Sequence, residues 1–184
     1  MFYTQRDRQV YLKLLADQTR LAHVRVLAYR LMTNHIHLIA VPEEADSLAL
    51  CLQRVHGRYA QYVNTRQRSG HLWQNRFYSC PLDERHLRMA LGYVERNPVV
   101  GRAEVHAWSS APAHLSGSDP LGLLDLTFWR AAGGAEQWRQ LIEYEEDDTE
   151  RRRLRRATFA GDPLGSEEFV ERWKPKAGLQ TLCA

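Results

Sequence analysis

Two histidines one residue apart, just past a two-residue turn, constrain this chain more than any other feature. Residues 24–32 (VRVLAYRLM) are rich in β-branched and aromatic side chains, and 35–41 (HIHLIAV) reads as a return strand. Thr33-Asn34 between them supplies a tight connection, because asparagine tolerates positive φ. Alternate side chains of a strand share a face, so His35 and His37 project together, about 7 Å apart. Ile36, Leu38 and Ala40 occupy the opposite face and bury the strand, which leaves the histidine face open. Two imidazoles placed in this way suit one divalent ion. Taken alone, however, the H-x-H spacing more often marks two half-exposed strand histidines.

The flanking residues extend the pattern. Thr4 to Asp7 can cap a helix whose apolar stripe is Val10, Tyr11, Leu14 and Leu15. Asp46 and Ser47 can cap a second one, with Leu48, Leu52, Val55, Tyr59 and Tyr62 on its core side up to about Asn64, and Arg54, Arg58 and Arg66 off that stripe. After a polar turn (RQRSGH), LWQNRFYSC alternates like a strand. Asp83 opens a third helix with a core stripe of Leu87, Leu91 and Val94, ended by Asn97-Pro98 because a residue before proline disfavours the α conformation. The order expected is therefore α, β, β, α, β, α. Residues 116–135 read as a Gly/Ser-rich linker, and EYEEDDTERRRLRR reads as a solvated helix with internal ion pairs, followed by a short last helix capped by Ser166. This divides the chain into a domain over 1–117 and a linker with a helical extension over 118–184.

At 100° per residue from Leu87, Tyr93 and Asn97 fall at about 240° and 280°, on one face beside the buried stripe. A phenol one turn from an amide oxygen suits a metal-assisted attack on a phosphodiester, the phenol as nucleophile and the amide completing the metal shell. A tyrosine beside a helix core stripe is nevertheless more often packing than catalysis.

Charge divides along the chain. Residues 1–117 carry 15 Lys/Arg against 9 Asp/Glu and all 8 histidines, whereas 118–184 carry 10 against 13. The basic part is the candidate nucleic-acid surface, although a GC-rich genome also enriches arginine. Three distant cysteines make neither a disulfide framework nor a cysteine zinc site. The chain lacks an apolar run of spanning length and opens without a signal-like order, so a cytoplasmic protein with no membrane contact is expected.

The strings LMTNHIHLIAVPEE, HLWQNRFYSC and LGYVERNPVVGRAEVHAWSSAPAHL, in that order, resemble the REP-associated tyrosine transposases, relatives of single-tyrosine HUH insertion-element transposases. The resemblance covers roughly residues 1–117, and GDPLGSEEFVERW is similar to the tail that many of these proteins carry. It implies an α+β fold, a ferredoxin-like two-layer sandwich with an antiparallel sheet, the histidine pair on a central strand and the catalytic helix packed across it. It implies His35, His37 and Asn97 as ligands of Mg²⁺ or Mn²⁺, and Tyr93 as the nucleophile that forms a 5′-phosphotyrosyl link. The implied substrate is single-stranded DNA with hairpin structure, such as repetitive extragenic palindromes. Arg54, Arg58, Arg66, Arg68 and Arg76 are the expected phosphate contacts, with Trp73, Phe77 or Tyr78 as a stacking platform, although each of these aromatics is more often core.

Two departures stand out. Family members usually begin with a further strand, and this chain starts after it with MFYTQRDRQ; Asn75 also stands where glycine is common. A domesticated DNA-hairpin binder of the same fold is the competing reading, and a structural zinc protein recruiting His71 or His86 is a third. The sequence leaves monomer and homodimer open.

Overall fold

A computed structural model describes residues 1–67, 72–73, 77–96, 107–143 and 147–173. The first helix, α1 (Gln5–Leu21), starts at a reciprocal cap: Thr4 Oγ1 accepts from the Asp7 N–H (3.2 Å) and the Asp7 carboxylate accepts from the Thr4 N–H (2.7 Å). Strands β1 (Val24–Leu31) and β2 (Ile36–Pro42) form an antiparallel ribbon with Leu31 opposite Ile36, Arg30 opposite His37 and a bulge between Val26 and Ala28. The turn at Thr33-Asn34 is closed by the Met32 N–H donating to the His35 carbonyl (2.9 Å). Helix α2 (Ser47–Gln67) returns along α1, and α3 (Glu84–Arg96) crosses the ribbon with Asp83 accepting from the His86 N–H at its start.

Strand alternation separates two cores. Val24, Val26, Tyr29 and Leu31, with Ile36, Leu38 and Ala40, face α1 and α2. There Tyr11 meets Phe2 and Tyr59 edge-on at 5.4 and 5.2 Å, each such pair contributing about 0.5–1.5 kcal/mol beyond area burial. Leu27, Ala28, Ile39 and Val41 face α3 and meet its Ala90, Leu91 and Val94. The protein is thus α+β, a two-stranded antiparallel sheet with helices on both faces, among the described residues.

Three expectations are corrected. Phe77–Cys80, the described end of the expected third strand, has no ladder among the described residues; nearby, Leu82 makes a single bridge, to Leu164. Alternating residues without a neighbouring strand have nothing to satisfy their backbone groups in a sheet. The expected linker is instead pinned to the free edge of β1. There the Asp125 N–H donates to the Val26 carbonyl (2.8 Å), beside a pairing that the preceding segment makes, with the Leu31 N–H donating to the Trp108 carbonyl (2.8 Å) and the Ser110 N–H to that of Tyr29 (3.0 Å). Helix α4 (Ala111–Ser116) ends at Gly117, whose φ of 71° requires glycine's freedom, and α5 (Leu126–Ala131) is capped by Asp125 and buries Trp129. The charged block, thirdly, is not one solvated helix. It spans the end of α6 (Gly134–Glu143) and α7 (Asp148–Ala160), which Asp147 caps, and Trp138 and Leu154 enter the core beneath α3. Helix α8 (Glu167–Trp173) begins where the Phe169 N–H donates to Ser166 Oγ (3.3 Å). No helix among the described residues is long and apolar enough to cross a membrane.

Candidate active site

The β1–β2 turn sets the histidines. His35 precedes β2 and is exposed, while His37 lies within the strand and is half-buried. Their rings lean together: Nε2 to Nε2 is 3.1 Å, with the planes nearly perpendicular. On the outer side of His35, Nδ1 lies 2.8 Å from Asn34 Oδ1. An amide oxygen accepts from an N–H, so this contact puts the proton on Nδ1 and turns the Nε2 lone pair inward, the orienting role that outer-shell oxygens play for histidine ligands.

Burial holds the His35 imidazole below its ordinary pKa, with the Arg155 guanidinium adding to the effect. His37 is pushed down to about 4 by burial, then by His35, Arg30 and Arg155. Both rings are therefore neutral near pH 7, the form that binds a cation. In an octahedral shell with bonds of about 2.1 Å, adjacent donors stand about 3.0 Å apart, so the observed 3.1 Å fits two ligands of one ion.

Tyr93 lies on α3 in the layer that faces these histidines. Its ring meets that of His37 edge-on, with centroids 5.4 Å apart. The helix is fixed by a buried network just beyond it. The Glu95 carboxylate accepts from Ser110 Oγ (2.6 Å) and from His114 Nδ1 (2.8 Å), and its main-chain carbonyl accepts from Arg30 Nη1 (2.8 Å). Arg30 stands opposite His37 in the ribbon, so the strand that carries the pair and the helix that carries the phenol are tied within two residues of each.

The structure thus brings together His35, His37 and Tyr93; Asn97 lies outside the described residues. So do Arg68 and Arg76. Arg54 and Arg58 are exposed on α2, which lies on the far face of the ribbon from Tyr93. Arg66, from the same helix, is engaged by the Tyr62 hydroxyl, with Asp7 3.7 Å away. Trp73 is half-buried, stacked on His56 at 4.0 Å, with its indole N–H donating to the His56 carbonyl (3.0 Å), and Phe77 packs against the same core. Tyr78 is exposed and touches Phe159. His86 is held by Asp83 at the start of α3; among the described residues no group of three His, Cys, Asp or Glu side chains could hold a metal, which removes His86 as a zinc partner of the pair. His71 lies outside the described residues.

Residues that sequence reasoning missed include Asn34, Arg30 and Arg155. Asn34 had a signal, since it precedes the first histidine. Arg155 had none: it comes from the extension, 118 residues beyond His37, and acts through the packing of its neighbour Leu154 into the α3 core.

Neither a curated protein nor a solved structure matches the chain. The family model described as "Transposase IS200 like" matches residues 1–97, more than half of the chain and all of the segment from α1 to Asn97. With that match over the histidine pair and the tyrosine helix, the chain belongs to the IS200-like transposases.

Proposed function

We propose that the protein cleaves and rejoins single-stranded DNA at hairpin-bearing sequences, with Tyr93 as nucleophile. The observation that carries this reading is the convergence of His35 Nε2 and His37 Nε2 at 3.1 Å beside the Tyr93 ring. His35 and His37, with Asn97 as third ligand, hold Mg²⁺ or Mn²⁺, which when bound supplies Lewis-acid polarisation of the scissile phosphate. Asn34 orients His35, and Arg30 with Glu95 holds α3 against the ribbon. The Tyr93 oxygen gives up its proton and forms a bond to phosphorus, the P–O3′ bond breaks, and the departing 3′ oxygen takes a proton. A 5′-phosphotyrosyl link and a free 3′-OH result. Attack by a DNA 3′-OH reverses the step and restores a phosphodiester, so bond count is conserved and no energy cofactor is needed. Arg54, Arg58, Arg66, Arg68 and Arg76 serve the hairpin stem and flanks as phosphate contacts. We read the ribbon as the centre of a ferredoxin-like sandwich, which the antiparallel β1–β2 pairing and the following α2 support.

The test mixes the protein with labelled single-stranded DNA from the hairpins flanking its own gene. A denaturation-resistant adduct is expected with Mg²⁺ or Mn²⁺, abolished by chelator, by Tyr93→Phe and by His37→Ala. Tight hairpin binding with no adduct would replace this reading with that of a DNA-hairpin binder.

A further inference from the structure

A cavity of about 310 Å³ opens beside the histidine pair, between α1, the β1–β2 turn and the segment that pairs with β1. Arg8, Met32, Thr33, Asn34, His35 and Trp108 line it, and among the described residues no acidic side chain does. Its size lies at the lower end of ligand pockets, which run from about 300 to 1,000 Å³. We propose that this cavity seats one nucleobase of single-stranded DNA, that of a nucleotide adjoining the phosphate at His35 and His37. The proposal rests on the reading of that pair and Tyr93 as the cleavage site.

The lining matches a planar, polar-edged ligand that carries negative charge. The Arg8 guanidinium lies within cation–π range of two aromatic rings, 5.5 Å from the Phe2 centroid and 5.8 Å from that of Trp108. Unstacked bases are gripped on faces of this kind, an indole or a guanidinium plane. Arg8 Nε is buried with no hydrogen-bond partner among the described residues, and Nη1 has only a long contact to the Thr4 carbonyl (3.5 Å). A buried donor without an acceptor is uncommon in a folded protein. The Nη groups of the same guanidinium, which lines the cavity, are the donors that a base-edge or phosphate oxygen would meet there. Asn34 adds an amide, whose NH₂ is left to donate while its oxygen meets His35 Nδ1, and Thr33 adds a hydroxyl at the rim.

The walls are also fixed before any ligand arrives. The Trp108 carbonyl accepts from the Leu31 N–H, the Met32 N–H closes the turn onto His35, and the Phe2 N–H donates to the Thr33 carbonyl (3.2 Å). Position completes the argument. Tyr93 touches His37, His37 touches His35, and His35 lines the cavity. A base in the cavity would place its own phosphate toward His35 at the end of the ribbon, so that the pocket sets which nucleotide is presented for cleavage.

The test is an abasic scan. Single-stranded oligonucleotides carrying the gene-flanking hairpin are made with one abasic site at each of the nucleotides around the cleavage point. Binding is measured by fluorescence anisotropy in EDTA, with Tyr93→Phe as the parent and Arg8→Ala, Trp108→Ala and Trp108→Phe on that background. One abasic position is expected to weaken binding to the parent about tenfold, within the range for a single stacked base. At that position the loss shrinks towards one-fold in Arg8→Ala and Trp108→Ala, while Trp108→Phe keeps much of it. Thermal melts check each fold; if Trp108→Ala unfolds, Arg8→Ala and Trp108→Phe still decide. Abasic losses equal in parent and variants at every position overturn the proposal. Adduct formation by the Tyr93 protein is scored separately. Adducts without base coupling sink the pocket and leave the cleavage reading standing, whereas base coupling without adducts keeps a base-binding pocket and sinks the role of Tyr93.

Discussion

Replacing Glu95 with alanine should be among the most destabilising single changes in this protein. Glu95 is fully buried, and its carboxylate serves two donors, Ser110 Oγ and His114 Nδ1. The two losses are unequal. Ser110 also lies 3.2 Å from the Tyr29 carbonyl and can turn its hydroxyl there, so its donor keeps a partner. His114 is buried against Trp138 with Glu95 as its Nδ1 partner, so its N–H is orphaned at a cost of about 1–3 kcal/mol. The Arg30 guanidinium, buried and under the field of Glu95, loses its counter-charge, which adds roughly 2 kcal/mol, below the full cost of a broken buried pair because Nη1 keeps the main-chain carbonyl. The sum is about 4 kcal/mol, a large share of the roughly 5–15 kcal/mol that folds a domain. Glu95→Gln keeps an oxygen acceptor for His114 and should cost about half as much. Urea unfolding followed by far-UV circular dichroism measures both; at a slope near 2 kcal/mol per molar, the alanine midpoint falls by about 2 M with the slope unchanged. A loss under about 1 kcal/mol for Glu95→Ala would refute the reasoning, since it would mean that the network carries no net stability.

Trp73→Ala should cost about 3–5 kcal/mol of stability, because the indole stacks on His56 and packs with Tyr11 and Tyr59; weaker DNA binding at unchanged stability would instead make it a DNA platform. Burial pushes the His56 imidazole down to about 4, so between pH 6.5 and 4 the unfolded chain binds more protons than the folded one. Its contribution is complete above pH 6.5 and falls by up to about 3 kcal/mol as pH drops to 4; denaturation midpoints against pH should flatten in His56→Asn. His37, likewise held at about 4, should stay neutral at pH 5, so its ring protons followed by NMR should titrate well below pH 6.5, and a midpoint near 6.5 would contradict this.

Local pattern carried a good deal of this. The hairpin and its turn at Thr33-Asn34 follow from period-two alternation, and the Thr4–Asp7 cap and the Leu87–Leu91–Val94 stripe follow from helical spacing, but the expected open histidine face of β2 is covered, because Ile39 and Val41 on that face pack against α3. The phase of α3 also put Tyr93 beside its buried stripe, which is why the phenol reaches His37. What local pattern does not hold is pairing across distance. The alternation in LWQNRFYSC predicts a strand, yet a strand needs a neighbour, and Phe77–Cys80 has none in the described sheet. Glycines and serines around Leu123 suggested a linker, but Asp125 meets Arg25 100 residues away (2.8 Å) and Trp129 fills the core. The packing of Arg8 with Trp108 is likewise a product of tertiary structure, and no spacing rule could have joined them.

The central claim is that Tyr93 becomes covalently joined to DNA. An adduct formed on gene-flanking hairpin DNA with Mn²⁺, trimmed with nuclease and digested with trypsin, can be read by mass spectrometry. Cleavage after Arg88 and Arg96 yields the peptide Met89–Arg96, in which Tyr93 is the only tyrosine. The account predicts a phosphonucleotide remnant on that peptide, fragmenting at Tyr93 and absent when chelator is added. A remnant on any other tyrosine, or none in a preparation that cleaves its DNA, would contradict it.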